Sequence, residues 1–158
     1  MKYLWITTLG LFLLLINLSI AQPICDTLPS DLVKQFDNYS KKEFHKLKKQ
    51  KKLDPLIAFE IATYYRQKAD TTCKQWYTLY IDLLFRKYTR HIHFKDKSPR
   101  FSESRRFSIF YLAQAFYFIG SYKRACSWYY RAYEYGISNS CLDYYYEDVK
   151  KRLGITIE

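Results

Sequence analysis

The sequence predicts an all-α chain of antiparallel helix hairpins, and three observations carry that prediction. Glycine is nearly absent: beyond residue 21 only Gly120, Gly136 and Gly154 occur. Each follows a long helix-compatible stretch, where a left-handed closing residue belongs. The prolines, Pro23, Pro29, Pro55 and Pro99, interrupt no periodic segment. Strand signals are weak, with no Asn-Gly or Asp-Gly turn between alternating runs.

Six helices follow from this punctuation. Ser30 or Asp31 caps the first, which runs to about residue 52 with Leu32, Val33, Phe36, Phe44 and Leu47 on its apolar side. Asp54-Pro55 opens the second with a capping carboxylate and a first-turn proline, and it ends near residue 68. Asp70 opens the third, reaching about residue 90. Residues 91–102, with Ser98-Pro99, form the one long connection. The fourth helix spans about 103–119, the fifth 122–135 and the sixth 140–153.

The first residues read differently. Lys2 precedes a nearly unbroken apolar run over residues 4–18, and Ser19-Ile20-Ala21 supplies the small-x-small pattern ahead of Gln22. That order predicts a signal peptide over 1–21, an extended segment over 22–30 and a helical domain over 31–158, exported to the periplasm or the cell exterior. An uncleaved membrane anchor is the competing reading. Gln22-Pro23-Ile24 before Cys25 is not a lipidation box.

Of 26 basic residues only Lys2 falls in the leader, leaving 25 against 15 acidic ones. With 17 Tyr and 11 Phe, so aromatic a chain collapses into a core, which excludes disorder.

The fourth and fifth helices carry the most information. Leu112, Ala113, Phe116, Gly120, Tyr122, Ala125, Tyr129 and Ala132 place small and aromatic residues at fixed spacing around a Gly-x-Tyr turn. This segment resembles the tetratricopeptide repeat (TPR), with Ile137 where the family has a closing proline. Trp128-Tyr129 and Ala132 before Gly136 also resemble the related Sel1-like repeat. The best repeat covers 107–140. A fainter copy over about 55–90 has Ile61-Ala62, Tyr65 and Ala69-Asp70 displaced by 51 residues from Leu112-Ala113, Phe116 and Gly120, and Trp76-Tyr77 displaced by 52 from Trp128-Tyr129. About two repeats leave outer faces to bury, so the first and sixth helices are expected as caps.

The resemblance implies a non-catalytic interaction module that holds a protein or peptide partner, an acidic one among those expected, in a groove lined by the first helix of each repeat. The groove residues it implies are Phe107, Phe110, Gln114 and Tyr117 on the fourth helix and Leu56, Phe59, Thr63 and Arg66 on the second. The competing expectation is that the end helices cover these stripes.

No catalytic site, metal site, cofactor or small-molecule substrate is expected. The glycines close helices, leaving none for a phosphate-cradling loop. His91-x-His93 has only His45 as a further histidine, too few for a metal site. Asp143, Glu147 and Asp148 face Lys150, Lys151 and Arg152 at helical spacing, as on a solvated surface.

The alternative function is polyanion binding. Residues 41–52 hold seven Lys and one Glu, and residues 86–106 hold eight basic residues. The patch so defined is Lys41, Lys42, Lys46, Lys48, Lys49, Arg86, Lys87, Arg90, Arg105 and Arg106. It suits anionic lipid at a membrane surface or acidic glycan; nucleic acid is the least available to an exported chain.

Four cysteines in an exported chain permit disulfides. If the helices alternate up and down, Cys25, Cys73 and Cys126 lie towards one end and Cys141 at the other. Cys25–Cys73 is the expected bond.

Overall fold

The computed structural model describes residues 27–50, 52–88 and 103–155, with side chains throughout except at 87–88 and 103–107. Residues 1–21, and with them the expected signal peptide, lie outside the described residues.

All regular structure among the described residues is helical: α1 (Ser30–Asp37), α2 (Lys41–Lys48), α3 (Pro55–Gln67), α4 (Cys73–Tyr88), α5 (Glu103–Phe118), α6 (Tyr122–Glu134) and α7 (Ser140–Arg152). The five helices after residue 54 fall within a few residues of expectation. The first expected helix is instead two. Ser40 breaks it with a capping box: its hydroxyl accepts from the Glu43 N–H at 3.3 Å, and the Glu43 carboxylate accepts from the Ser40 N–H at 2.6 Å. The Ser40 hydroxyl, which also donates to that carboxylate at 2.7 Å, and the Ser40 N–H hold the Glu43 carboxyl below its ordinary range. The break folds the chain so that Phe36, Tyr39 and Phe44 meet, with centroids 5.5–6.1 Å apart. A continuous helix would separate Phe36 and Phe44 by about 12 Å along its axis.

Other helix starts match the sequence chemistry. Asp54 accepts the Leu56 N–H at 3.0 Å with Pro55 in the first turn, and Asn139 accepts the Leu142 N–H at 2.8 Å.

The closest packing is α3 on α4 and α5 on α6. Between these hairpins α4 packs on α5, while α6 lies on α7, α1 on α3 and α7 also on α5. This is an antiparallel hairpin array with helices added at both ends. Ala62, Ala113, Ala125 and Ala132 are fully buried, as close backbone approach requires, and the rings of Tyr77 and Tyr129 are fully buried beside them.

The hairpin turns share one motif. After α5 the Ser121 N–H returns to the Phe116 carbonyl at 2.8 Å, with Gly120 left-handed at φ 84°. After α3 the Asp70 N–H returns to the Tyr65 carbonyl at 2.9 Å, and the left-handed residue is Ala69, at φ 54°. Gly136 and Gly154 close α6 and α7 in the same manner. No helix among the described residues is long and apolar enough to cross a membrane.

Candidate ligand-binding site

The expected groove stripes are mostly spent on internal contacts. On α5, Phe110 is buried against Tyr111 and Tyr129, and Gln114 is buried. Tyr117 lies 4.9 Å from the Tyr145 ring and donates to Asp148. The Phe107 side chain lies outside the described residues. On α3, Phe59 is buried among Tyr77, Tyr80 and Tyr111, and Thr63 donates to the Phe59 carbonyl at 3.0 Å. Arg66 stacks over Phe118 at 4.5 Å. Among the described side chains of these stripes only Leu56, 47 % exposed, is open. Of the seven of these eight positions whose side chains are described, six are buried or half-buried in internal contacts. α3 and α5 meet directly through Phe59–Tyr111 and Arg66–Phe118, and α7 lies over the end of the α5 stripe.

α7 is fastened there by more than apolar contact. Asp148 accepts from Tyr117 and from Arg152 Nε, and the Arg152 guanidinium lies over both Tyr117 and Tyr122. Burial raises the Asp148 carboxyl, but the hydrogen bonds from Arg152 and Tyr117 outweigh it and hold the pKa below its ordinary range. Asp148 is thus part of a helix–helix tie rather than of a merely solvated face. Lys150 is buried, its ammonium on Glu147 and 4.5 Å from the Tyr146 centroid.

Of the expected basic patch, Lys41, Lys42, Lys46, Lys48 and Lys49 stand exposed on or beside α2, and Arg86 is exposed on α4. Lys87, Arg105 and Arg106 have no described side chain, and Arg90, His91 and His93 lie outside the described residues. Among the described residues no three His, Cys, Asp or Glu side chains converge as metal ligands.

The expected Cys25–Cys73 bond is corrected. Cys73 is a free thiol, half-buried in the first turn of α4, and burial pushes its pKa up. It packs against the core. Cys126 is also free, and Cys141 is disulfide-bonded. Cys25 lies outside the described residues.

What the sequence reading missed is a cavity of about 300 Å³ between α2 and the α3–α4 turn. One wall is a single face of α2: Lys41, Phe44, His45 and Lys48, at i, i+3, i+4 and i+7. Opposite stand Tyr65 at the end of α3, Asp70 and Thr72 in the turn, and Gln75 and Trp76 on α4. Phe44 lies 5.3 Å from the Tyr65 ring and 6.4 Å from the Trp76 ring, edge-on to the latter. Lys48 Nζ donates to Gln75 Oε1 at 3.1 Å, which places its charge at the rim. Asp70 accepts the Thr72 N–H at 2.8 Å; its hydrogen bonds with Thr72, and Lys41 nearby, hold its carboxyl below the ordinary range. The arrangement pairs an aromatic interior with a mainly cationic rim. The lysine spacing on α2 was the signal for it, but the lysines read as one diffuse basic run because no break at Ser40 was expected.

No protein-family model, curated protein or solved structure matches the chain.

Proposed function

We propose that this chain is an exported, non-catalytic, TPR-like interaction module that holds a protein or peptide partner. One observation carries the reading: two successive hairpins share one construction at 51- and 52-residue displacement. Their turns use the same left-handed closure, and their tryptophans meet the preceding helix alike. Phe44 of α2 stands edge-on to Trp76 at 6.4 Å, and Phe85 of α4 stands edge-on to Trp128 at 6.3 Å. Each hairpin thus sits on its predecessor through one repeated contact, as expected of an array whose neighbours bury one another's faces.

Cross-linking capture of the mature protein from its own cells, with mass spectrometry of the cross-linked peptides, tests this. The reading expects one protein partner, cross-linked reproducibly to the helical domain at physiological ionic strength. Absence of any such partner overturns it. The five exposed lysines on or beside α2 favour a second reading, polyanion binding, whose affinity falls steeply with ionic strength. Export is tested separately: the mature N-terminus is expected at Gln22, and intact residues 1–21 on membrane-bound protein would exclude it.

A further inference from the structure

We infer that the cavity between α2 and the α3–α4 turn is a binding site for an acidic peptide segment. One aromatic or large apolar side chain enters the cavity, and the carboxylates flanking it meet Lys41 and Lys48. This rests on the reading of the chain as a protein-interaction module and names where and what it binds.

Size and lining favour a side chain. At about 300 Å³ the cavity is at the small end of ligand sites and holds one or two side chains. Its floor is formed by the edges of Phe44 and Trp76, 6 % and 2 % exposed, and by the half-buried Tyr65 ring, against which an apolar anchor packs. The rim carries Lys41, His45 and Lys48 against the single carboxylate of Asp70, which already accepts from Thr72. A flanking carboxylate therefore meets unlike charge, and Lys42, Lys46 and Lys49 extend that field along the partner chain.

Comparison of the hairpins explains why the cavity is open here. Four residues before Trp128, Arg124 lies over the Phe116 ring at 5.7 Å and occupies the space beside it. Four residues before Trp76 stands Thr72, too short to cover Tyr65, the counterpart of Phe116. The first hairpin lacks the arginine that lies over the second hairpin's Phe116 ring. A polyanion without apolar groups would lie across the α2 lysines and leave the cavity unused, and Asp70 in the wall opposes dense negative charge.

The probe is a nine-residue peptide with a central Phe flanked on each side by two Glu, titrated into the ¹⁵N-labelled mature protein. Controls are the same peptide with Ser for Phe, the same with Gln for Glu, a heparin oligosaccharide, and phosphatidylglycerol vesicles. Shifts at Phe44, Tyr65, Thr72 and Trp76 are expected with the Glu–Phe peptide, and at least tenfold weaker binding with each altered peptide. Thr72→Arg, which supplies the arginine of the second hairpin, should weaken the peptide at least tenfold while heparin binding, given one more cation, does not fall. Lys48→Glu, at an exposed rim position, weakens the peptide as much and keeps the test decisive if Thr72→Arg does not fold.

Equal binding of the Ser-centred peptide, undiminished binding to a folded Thr72→Arg or to Lys48→Glu, or binding of heparin or vesicles alone would overturn the site. Capture of one partner by wild type and Thr72→Arg alike removes the cavity but leaves the module reading standing. Capture of no partner by wild type removes both.

Discussion

The α3–α4 and α5–α6 hairpins share a skeleton but differ at the turn and in what lies over the ring beside it. Both bury small residues at the crossing, Ala62 in one and Ala113, Ala125 and Ala132 in the other. Both return to the preceding helix through an edge-on Phe–Trp pair. Each is also tied to an end helix by a tyrosine, an aspartate and a cation. Tyr64 of α3 donates to Asp37 of α1 at 2.8 Å, with Lys68 on the same oxygen at 3.0 Å. Tyr117 of α5 donates to Asp148 of α7, which also binds Arg152. The second hairpin adds a glycine at its turn and an arginine over Phe116. The first has Ala69 and Thr72 there, and so keeps both a strained turn and an open cavity. Shared features maintain the array; the departures mark where this chain can do something of its own.

The largest expected effect tests whether the two stripes are core. Phe59 and Phe110 are 8 % and 6 % exposed. Phe59→Ala and Phe110→Ala should each destabilise by about 3–5 kcal/mol in denaturant unfolding. Loss of less than about 1 kcal/mol at Phe110, with a partner released, would restore a groove along α5 instead.

The fold was legible where local chemistry and periodicity agreed. Asp54-Pro55, the three closing glycines and the small–aromatic spacing from Leu112 to Ala132 each fix a local geometry that tertiary packing has no reason to override. The break at Ser40 was written as Ser-x-x-Glu, yet Phe36 and Phe44, at i and i+8, continue one helical stripe across it and masked it. The groove was not legible for a different reason. A stripe of Phe110, Gln114 and Tyr117 looks the same whether a partner or α7 covers it, and sequence does not say which way α7 lies. The cavity depends on a missing side chain at Thr72, visible only once the hairpins are overlaid.

The end ties give the next effect, as pH dependence. Burial and the Asp37 carboxylate hold Tyr64 protonated up to about 12, above its ordinary 10. Burial and Asp148 push Tyr117 in the same direction. The unfolded chain releases these protons first, so this stability is complete below about pH 10 and is lost as pH rises through the raised values. On the acid side the bonds from Tyr64 and Lys68 lower Asp37, so its contribution is present above its ordinary 3.8 and is lost as pH falls through the lowered value. Tyr117→Phe should cost about 1–2 kcal/mol at neutral pH. Tyr64→Phe and Tyr117→Phe together should flatten the decline between pH 10 and 12. An unchanged alkaline slope in the double variant would show that the ties contribute nothing there.

The smallest effect separates the turns themselves. Gly120 has no atom within 4 Å of where a Cβ would stand, so Gly120→Ala introduces no clash and only the strain of a left-handed alanine. That strain is about 1–2 kcal/mol, reduced by the lower chain entropy of alanine in the unfolded state, for a net loss of about 1 kcal/mol. Ala69 already bears the same strain at φ 54°. Ala69→Gly should therefore stabilise, by about 0.5 kcal/mol, because relief of strain exceeds the added entropy of glycine. Opposite signs at two positions 51 residues apart are the signature of one turn geometry imposed twice. Both variants are read by urea unfolding on the mature protein, with equal m-values required so that the midpoints compare stability alone. If Ala69→Gly destabilises as glycine does in a helix interior, the first turn is not left-handed in solution. The match between the hairpins would then end at their tryptophans.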